Sequence, residues 1–455
     1  MTASPSTLRS SDSTGATPQR LAGTLGSYWQ RRGGMPAGPP LAAAPTPREV
    51  EIAIIGGGLA GLATAIAVKD MRPGADVAVL EAETIGFGAS GRNGGLLSPL
   101  AAPIWLLTAA SRAEHGWALG HLNRSAADLA RSLASRMPGA EASAETLRLE
   151  ARGLLTGEGL ARIARTLAGI GIDHDAGPRL GNGGRVLDIP ANTVDPFAFV
   201  TGLAAEARAR GIAIHEGVRV ARIEDGGTGA RIMLAAPGAA RGTMSGLVSA
   251  RRVVIATNAY TGDIALPHQP KAHAIWNYML ATEPLDPARL EAIGGPGVFT
   301  VEINRAYVFH RRHAGRIVFG GIDRLRHKPG EFDVPAGVGR GLERLLRASF
   351  GAEPLPTAVA WAGRYHATRT ELPIIGPAPG LATTVLNVGY GGTGVVLTQV
   401  LAPVAAALAL GLPCPDRDAE RLHAAMEATR VPIGAGVRFG AGVAWAAAGA
   451  MARRA

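Results

Sequence analysis

The sequence predicts an α/β fold: a parallel-sheet domain assembled discontinuously from distant parts of the chain, joined to a second α+β domain built on an antiparallel sheet. Three observations predict it. The apolar run EIAII from Glu51 ends in Gly56-x-Gly58-x-x-Gly61, a helical stretch follows from Leu62 to Val68, and DVAVL (76–80) ends in Glu81. A second strand–glycine turn–helix pattern stands near the other end: TVLNV (384–388), GYGGTG (389–394), then apolar residues from Val395 to Leu410. Between them, from about 264 to 355, longer strand-like runs such as Trp276 to Ala281 and Arg316 to Gly321 read as an antiparallel sheet.

The first element is a Rossmann-like βαβ unit, and each part has a physical job. Gly56 permits a tight turn, Gly58 lets a pyrophosphate approach the backbone, and Gly61 lets helix and strand pack closely. The N–H groups and dipole at the helix start, around Leu59 and Ala60, favour an anion. Glu81 stands 20 residues after Gly61, placed to accept hydrogen bonds from a ribose diol, with Ala82 beside it. The flanking strands and terminal acid separate this motif from a bare glycine turn.

The other elements follow in order. Residues 1–48 are rich in Ser, Thr, Gly, Pro and Ala and read as a mostly disordered extension, with a short helix within Leu21 to Arg32. A second glycine-rich segment, GFGASGRNGG, runs from Gly86 to Gly95. Residues 104–170 have helical periodicity. Asp195 caps a helix that opens on Pro196. GIAIH (211–215) and GVRVARI (217–223) read as strands, and RVVIATNA (252–259) as a buried strand returning to the first domain. The expected division is 49–100, 190–263 and 360–412 for the nucleotide domain, 101–189 and 264–359 for helical and substrate-binding regions, and 413–455 for a tail.

Composition narrows the function. The chain has 455 residues and a formal charge of +10, carried almost wholly by dispersed arginine, since lysine occurs only at 69, 271 and 328. No reading helix or stacking motif for nucleic acid accompanies it. Cys414 is the single cysteine, which excludes an intrachain disulfide and a cysteine zinc site and fits a reducing cytoplasm. The apolar run Phe439 to Ala452 is too short to span a bilayer.

With these segments in view, the chain resembles the flavin oxidoreductases of the D-amino-acid-oxidase-like superfamily, and most closely the branch containing gamma-glutamylputrescine oxidoreductase. The resemblance covers about Tyr28 to Leu412 and rests on ASGRNGG (89–95), WAG (361–363), PIIG (373–376) and GYGGTG (389–394). It implies a glutathione-reductase-like FAD domain. Gly88, Ala89, Ser90, Gly91, Arg92, Asn93, Gly94 and Gly95 would then pass beside the flavin ring, with Arg92 and Asn93 either facing the substrate or, the favoured reading, bracing that loop. Val220, Ala256 and Thr257 would contact the adenosine side. Gly363, Gly376, Gly389, Tyr390, Gly391, Gly392, Thr393 and Gly394 would complete the cofactor site, with the helix starting near Gly394 aimed at the pyrimidine edge.

Departures from that pattern matter. Some relatives tether FAD through a cysteine where Gly363 stands, so non-covalent FAD is expected. Basic carboxylate anchors used by relatives are replaced by Val396, Gly392 and Tyr365, with Arg364 adjacent. The resemblance therefore implies oxidation of a primary or secondary amine, gamma-glutamyl-polyamine derivatives among the candidates, with hydride transfer from the α-carbon to FAD. The imine would hydrolyse to an aldehyde and an amine or ammonia, and O2 would reoxidise the cofactor. That chemistry requires no metal. His366, Tyr307, Trp361 and Tyr278 are the catalytic candidates, with core packing as the competing role for each. Further wall candidates are Trp276, His310 and Tyr365. Two other readings stay open: an amino-acid or imino-acid dehydrogenase passing electrons to a quinone or carrier, and a flavin-binding assembly protein. Anaerobic bleaching of the flavin by candidate substrates separates them.

Overall fold

A computed structural model describes residues 26–35, 46–100, 113–151, 157–178, 184–236, 244–293, 297–303, 308–325, 332, 334–351, 354–368 and 372–428. Two sheets organise them. The first has the order Ile374–Pro377, Thr384–Val388, Met244–Ile255, Glu49–Ile55, Val77–Leu80, Ala213–His215. All these neighbours pair in parallel except the edge strand Ile374–Pro377, which is antiparallel. Val220–Asp225 and Ala230–Ala235 form an antiparallel extension on the long strand Met244–Ile255. Strands from both ends of the chain thus meet in one sheet, as the two glycine-turn patterns imply.

Central strands of this sheet are buried on both faces, which is why they read as unbroken apolar runs. Helix Leu59–Met71 follows the first strand and is buried on nearly every side, so its sequence is Ala-rich rather than amphipathic. Helices Pro196–Ala209 and Ala402–Leu410 pack against it. Asp195 caps the former by accepting from the Phe197 and Ala198 N–H groups, and Pro196 occupies its first turn.

The second sheet has the order Thr357–Thr368, Ala272–Thr282, Arg316–Arg324, Val308–His313, Val298–Ile303, Ser143–Ala151, Arg185–Thr193, Leu96–Leu97, with Asp175–Pro178 on Arg185–Thr193. Its pairs are antiparallel save one, between Val298–Ile303 and Ser143–Ala151. Helix Ala336–Phe350 covers one face through Val338, Leu342 and Leu346.

Two expectations change. The region 104–170 holds helices Ala113–Arg136 and Gly157–Gly169, but strand Ser143–Ala151 divides them. Its TLRLE core buries Leu147 and Leu149 at a two-residue period, a pattern that helical composition around it masks. The domain boundaries also shift, because Leu96–Leu97, 190–193 and 360–368 are strands of the second sheet. HRRH (310–313) lies on an interior strand of the second sheet, with Arg311 buried and its guanidinium 5.0 Å from the Trp29 ring. The N-terminal extension contains helix Tyr28–Arg32, buried through Tyr28, Trp29 and Gln30. The 1–20 segment and the 439–452 run lie outside the described residues. Among the described residues no single helix is long and apolar enough to cross a membrane.

Candidate functional site

Two cavities meet where the sheets adjoin. The first, of about 370 Å3, is lined by Gly56 to Gly58, Glu81 to Thr84, Val218 to Val220, Ala256 and Thr257. The second, of about 250 Å3, lies between the loop Ala89 to Gly94, the turn Tyr390 to Gly394 and side chains of the second sheet. Both are bounded by Gly58, Ala89, Ser90, Ala256 and Asn258, so they join past the start of helix Leu59–Met71.

Backbone shapes the first cavity. Gly56 has φ +105°, and a Cβ there would sit 2.8 Å from the Ala256 carbonyl oxygen. A Cβ at Gly61 would sit 1.9 Å from the Gly56 oxygen, so the helix can approach only with glycine. Glu81 ends its strand in the cavity wall, accepting from the Gly57 N–H at 2.6 Å and the Glu83 N–H at 3.0 Å. Desolvation raises its pKa, and those two N–H groups oppose the rise. These features fit the adenosine and pyrophosphate parts of FAD.

The glycine loop between the cavities is held from several directions. Arg92 Nε donates to the Phe87 carbonyl at 2.6 Å and Nη1 to the Ala362 carbonyl at 3.2 Å. Burial pushes Arg92 down to about 10, still charged at neutral pH, and its guanidinium lies 5.1 and 4.9 Å from the Phe87 and Phe332 rings. Asn93 Nδ2 donates to the Ala89 and Ser90 carbonyls, while its Oδ1 accepts from the Gly95 N–H. Helix Tyr28–Arg32 and its N-cap Ser27 supply four more bonds: Ser27 Oγ to the Gly91 carbonyl, Trp29 Nε1 to the Asn93 carbonyl, and Gln30 Nε2 to the Gly86 and Phe87 carbonyls. Trp361 Nε1 donates to the Arg92 carbonyl at 2.9 Å. Arg92 and Asn93 are thus both bonded to main-chain carbonyls of this loop, and Arg92 also to that of Ala362.

At the far turn, Gly389 has φ +84° and its N–H donates to Asn258 Oδ1 at 3.1 Å. The Tyr390 hydroxyl donates to Asn387 Oδ1, and Asn387 Nδ2 donates to Thr64 Oγ1 at 3.0 Å. This ties the turn to the first helix. Burial raises the Tyr390 pKa, so the phenol stays neutral.

The second cavity is lined largely by apolar groups, including Leu147, Leu149, Met279, Phe299, Val301 and Phe309. Polar side chains interrupt them, among them Asn277, Asp323 and Tyr365. Asp323 Oδ1 accepts from Asn277 Nδ2 at 2.9 Å, and Oδ2 accepts from the Tyr365 hydroxyl at 3.1 Å. Asp323 lies deep in the protein, and burial pushes its pKa up to about 6 despite both donors. It nevertheless keeps some accessible surface, consistent with its place in the cavity wall. Arg364 points to the other side: it lines the first cavity, 3.5 Å from Asp263 and 5.1 Å from the Tyr260 ring centroid.

The expected cofactor residues fall into three groups. Gly56, Gly58, Glu81, Ala82, Gly88, Ala89, Ser90, Val220, Ala256 and Thr257 line the first cavity. Leu59, Ala60, Arg92, Asn93, Gly94, Gly363, Tyr390, Gly391, Gly392, Thr393 and Gly394 line the second. Gly61, Gly91, Gly95 and Gly389 lie behind the walls, where the backbone needs them. Gly376 is corrected: it sits in edge strand Ile374–Pro377 and lines neither cavity.

The catalytic candidates need more revision. Tyr278 is fully buried in the cluster that includes Phe319, Val338 and Leu342, under helix Ala336–Phe350. His366 is buried, lines neither cavity, and burial pushes it down to about 4. Trp361 is a buried brace for the Arg92 carbonyl. Tyr307 lies outside the described residues. Among the further wall candidates, Trp276 packs in the Tyr278 cluster and also lines the first cavity, while His310 stacks near Phe319 and Phe350. The reading missed Asn277, Met279, Phe309 and Asp323. Alternation was the available signal: Asn277 and Met279 flank the chosen Tyr278, on the opposite face of their strand from Trp276 and Tyr278. Asp323, an acid in the otherwise apolar GGID run, was the other.

Comparison with known proteins adds to this geometry. The family model described as FAD dependent oxidoreductase (DAO) matches residues 51–408. A probable oxidoreductase, OrdL, from Rhizobium meliloti (strain 1021) is 27% identical over 390 residues, covering 81% of this chain and 84% of the relative. Gamma-glutamylputrescine oxidoreductase from Escherichia coli (strain K12) is 26% identical over 414 residues, covering 85% and 88%. Among solved structures, glycine oxidase from Geobacillus kaustophilus aligns with a TM-score of 0.64 at 19% identity, covering 81% of this chain and 96% of that one. The L-proline dehydrogenase from P. horikoshii aligns with the same TM-score at 16% identity and the same coverage. These structures share the two-sheet fold. The chain belongs to the DAO family of FAD-dependent oxidoreductases.

Proposed function

We propose that this oxidoreductase acts on a primary or secondary amine rather than on a small α-amino acid. One observation carries the reading. The cavity beside the glycine loop offers a carboxylate, Asp323, while both nearby guanidiniums are committed elsewhere, Arg92 to main-chain carbonyls and Arg364 to the Asp263 side. A substrate α-carboxylate in that cavity would lose its hydration without a cation to replace it, in a wall that already carries a negative charge. The relative named for gamma-glutamylputrescine supports the amine class, and gamma-glutamyl-polyamine derivatives are the leading candidates.

FAD, when bound, supplies the acceptor for a hydride equivalent from the amine α-carbon. The chain's own residues do the rest. The Gly56–Gly61 turn and Glu81 hold the adenosine half, the loop from Gly88 to Gly95 and the turn from Gly389 to Gly394 hold the ring, and the apolar wall excludes water. The imine product then takes up water and releases an aldehyde and an amine or ammonia. Gly363 offers no tether, so the cofactor is held non-covalently. O2 is the proposed final acceptor, and the single Cys414 supports a cytoplasmic setting.

The test is anaerobic mixing of the holoprotein with a panel of alkylamines, polyamine derivatives and amino acids, recording loss of flavin absorbance. Amines should bleach fastest, and acid should release the flavin. The reading fails if glycine, sarcosine or D-alanine bleaches fastest and Arg364→Ala removes that activity; the amino-acid dehydrogenase reading then replaces it. Oxygen uptake with the bleaching substrates separates oxidase from carrier-linked turnover. A holoprotein that no substrate bleaches would favour an assembly role.

A further inference from the structure

The amine reading leaves a question of charge. A flavin removes hydride from an amine in its neutral form. A carboxylate beside the reacting nitrogen would instead stabilise its ammonium form and hold back the reaction. Asp323 is therefore poorly suited to sit at the reacting nitrogen. It is well suited to hold a second nitrogen that never reacts.

We propose that Asp323 is the anchor for a distal, non-reacting ammonium group, so that the preferred substrates are diamines or polyamine derivatives with two basic nitrogens. The proposal rests on the amine reading of the same cavity and adds the identity of the second group.

Four observations carry it. The carboxylate lies deep in the protein, in a cavity wall otherwise largely apolar. Its partners are two neutral donors, the Asn277 amide and the Tyr365 hydroxyl, one on each oxygen. These fix the orientation of the carboxylate and leave lone pairs on both oxygens for a further donor. Among the described residues no Lys, Arg or His forms an ion pair with it, so its charge lacks the compensation that buried carboxylates ordinarily have. Finally, the sheet register sets it away from the flavin loop. Gly363, in the cavity wall beside Arg92, pairs with Asn277, and Asn277 pairs with Asp323. Two strand spacings, roughly 10 Å, separate Gly363 from Asp323. Asn277, Met279 and Phe309 line the same cavity.

An ammonium at Asp323 would supply the missing positive charge through a charge-assisted hydrogen bond. Burial raises the carboxylate's pKa in the free protein, and a bound cation would lower it again. A monoamine of the same length leaves the carboxylate uncompensated, and a chain ending in a carboxylate meets repulsion.

The experiment uses holoprotein and three probes of equal chain length: 1,4-diaminobutane, 1-aminobutane and 4-aminobutanoate. Anaerobic bleaching gives the rate and apparent affinity for each, and thermal shift under the same conditions reports binding without turnover. Wild type should prefer the diamine over the monoamine by roughly 100-fold in kcat/KM, with 4-aminobutanoate slowest. In Asp323→Asn, an isosteric change, that ratio should fall to within about fivefold, with the monoamine gaining because an uncompensated charge is gone. The diamine's thermal shift should vanish, while flavin content stays near one per chain. Tyr365→Phe keeps the charge but removes one fixing donor. It should weaken the diamine several-fold, mostly in KM, and it serves as the test if Asp323→Asn fails to fold. The inference is overturned, with the amine reading intact, if amines bleach wild type but the diamine preference is absent or survives Asp323→Asn. It is also overturned if both amines lose the same factor in that variant, which would make Asp323 part of the reaction itself. If only amino acids bleach wild type, the amine reading falls, and the anchor falls with it.

Discussion

The two cavities are built from different material. The first is built around backbone: glycines at Gly56, Gly57 and Gly58, with Gly61 behind them, the strand-terminal acid Glu81, and the stretch Val218 to Val220 with Ala256. The second is largely a wall of side chains from the second sheet, where each strand offers one face to the cavity and the other to the core. A backbone cradle tolerates few sequences, because a single Cβ fills it. A side-chain wall can change its chemistry by one substitution while the fold persists. The proposed division follows: the adenosine half of the cofactor in the first kind of structure and substrate choice in the second.

The largest effect is expected where the cradle is tightest. Gly61→Ala drives a Cβ into the Gly56 oxygen, and neither backbone can yield without opening the strand–helix junction. It should cost about 3–5 kcal/mol, by comparison with severe overpacking. Chemical denaturation would measure it, and a cost under about 1 kcal/mol would show that the junction can relax.

The next effect concerns pH and has two opposing parts. Asp323 has a raised pKa, so native protein keeps its proton longer than the unfolded chain does. Stability from that group is full below the ordinary carboxylate range and is lost as pH rises through about 6. His366 has a lowered pKa, so its contribution is full above the ordinary imidazole range and is lost as pH falls toward about 4. Each amounts to on the order of 2–3 kcal/mol. In wild type the two partly cancel between pH 4 and 6. Asp323→Asn should therefore gain stability over wild type as pH rises from 4 to 6, with the gain level above 7. A constant difference across that range would contradict the burial argument for Asp323.

These contrasts explain what the sequence made legible. The βαβ unit, the return strand at 252–259 and the final glycine turn could be read because each role depends on a residue type at a fixed spacing. The catalytic candidates could not be read as well. Tyr278 and Met279 are neighbours in an apolar run, and which of them faces the cavity depends on strand register and on the irregularity in pairing between them. Nothing local distinguishes the face covered by helix Ala336–Phe350 from the face over the cavity. Strand Ser143–Ala151 was hidden for a related reason: its partners, Arg185–Thr193 and Val298–Ile303, lie far along the chain. Helix Tyr28–Arg32 was legible as a helix, but its bonds to the loop at 86–93 depend on tertiary placement.

Smaller effects test the bracing. Trp361→Phe removes the N–H bond to the buried Arg92 carbonyl and should cost about 1–3 kcal/mol. Flavin retention should weaken measurably in dialysis, because the loop loses one support among several. Unchanged stability would mean that another donor reaches that carbonyl. Tyr278→Phe lies at the bottom of the scale. Since the ring packs away from the cavity, kcat should stay within about twofold, and a drop beyond tenfold would restore Tyr278 as a catalytic residue.

The division between cradle and wall is tested most directly by flavin content per chain in two variants purified side by side. Gly58→Val puts a side chain toward Ser90 at the junction of the cavities, where a Cβ would already lie 2.9 Å from Ser90 Oγ. Asp323→Asn changes only the wall. The first should carry almost no FAD, and the second should carry about one FAD per chain. Full flavin in Gly58→Val, or its loss in Asp323→Asn, would contradict the assignment of cofactor binding to the backbone cradle and substrate choice to the wall.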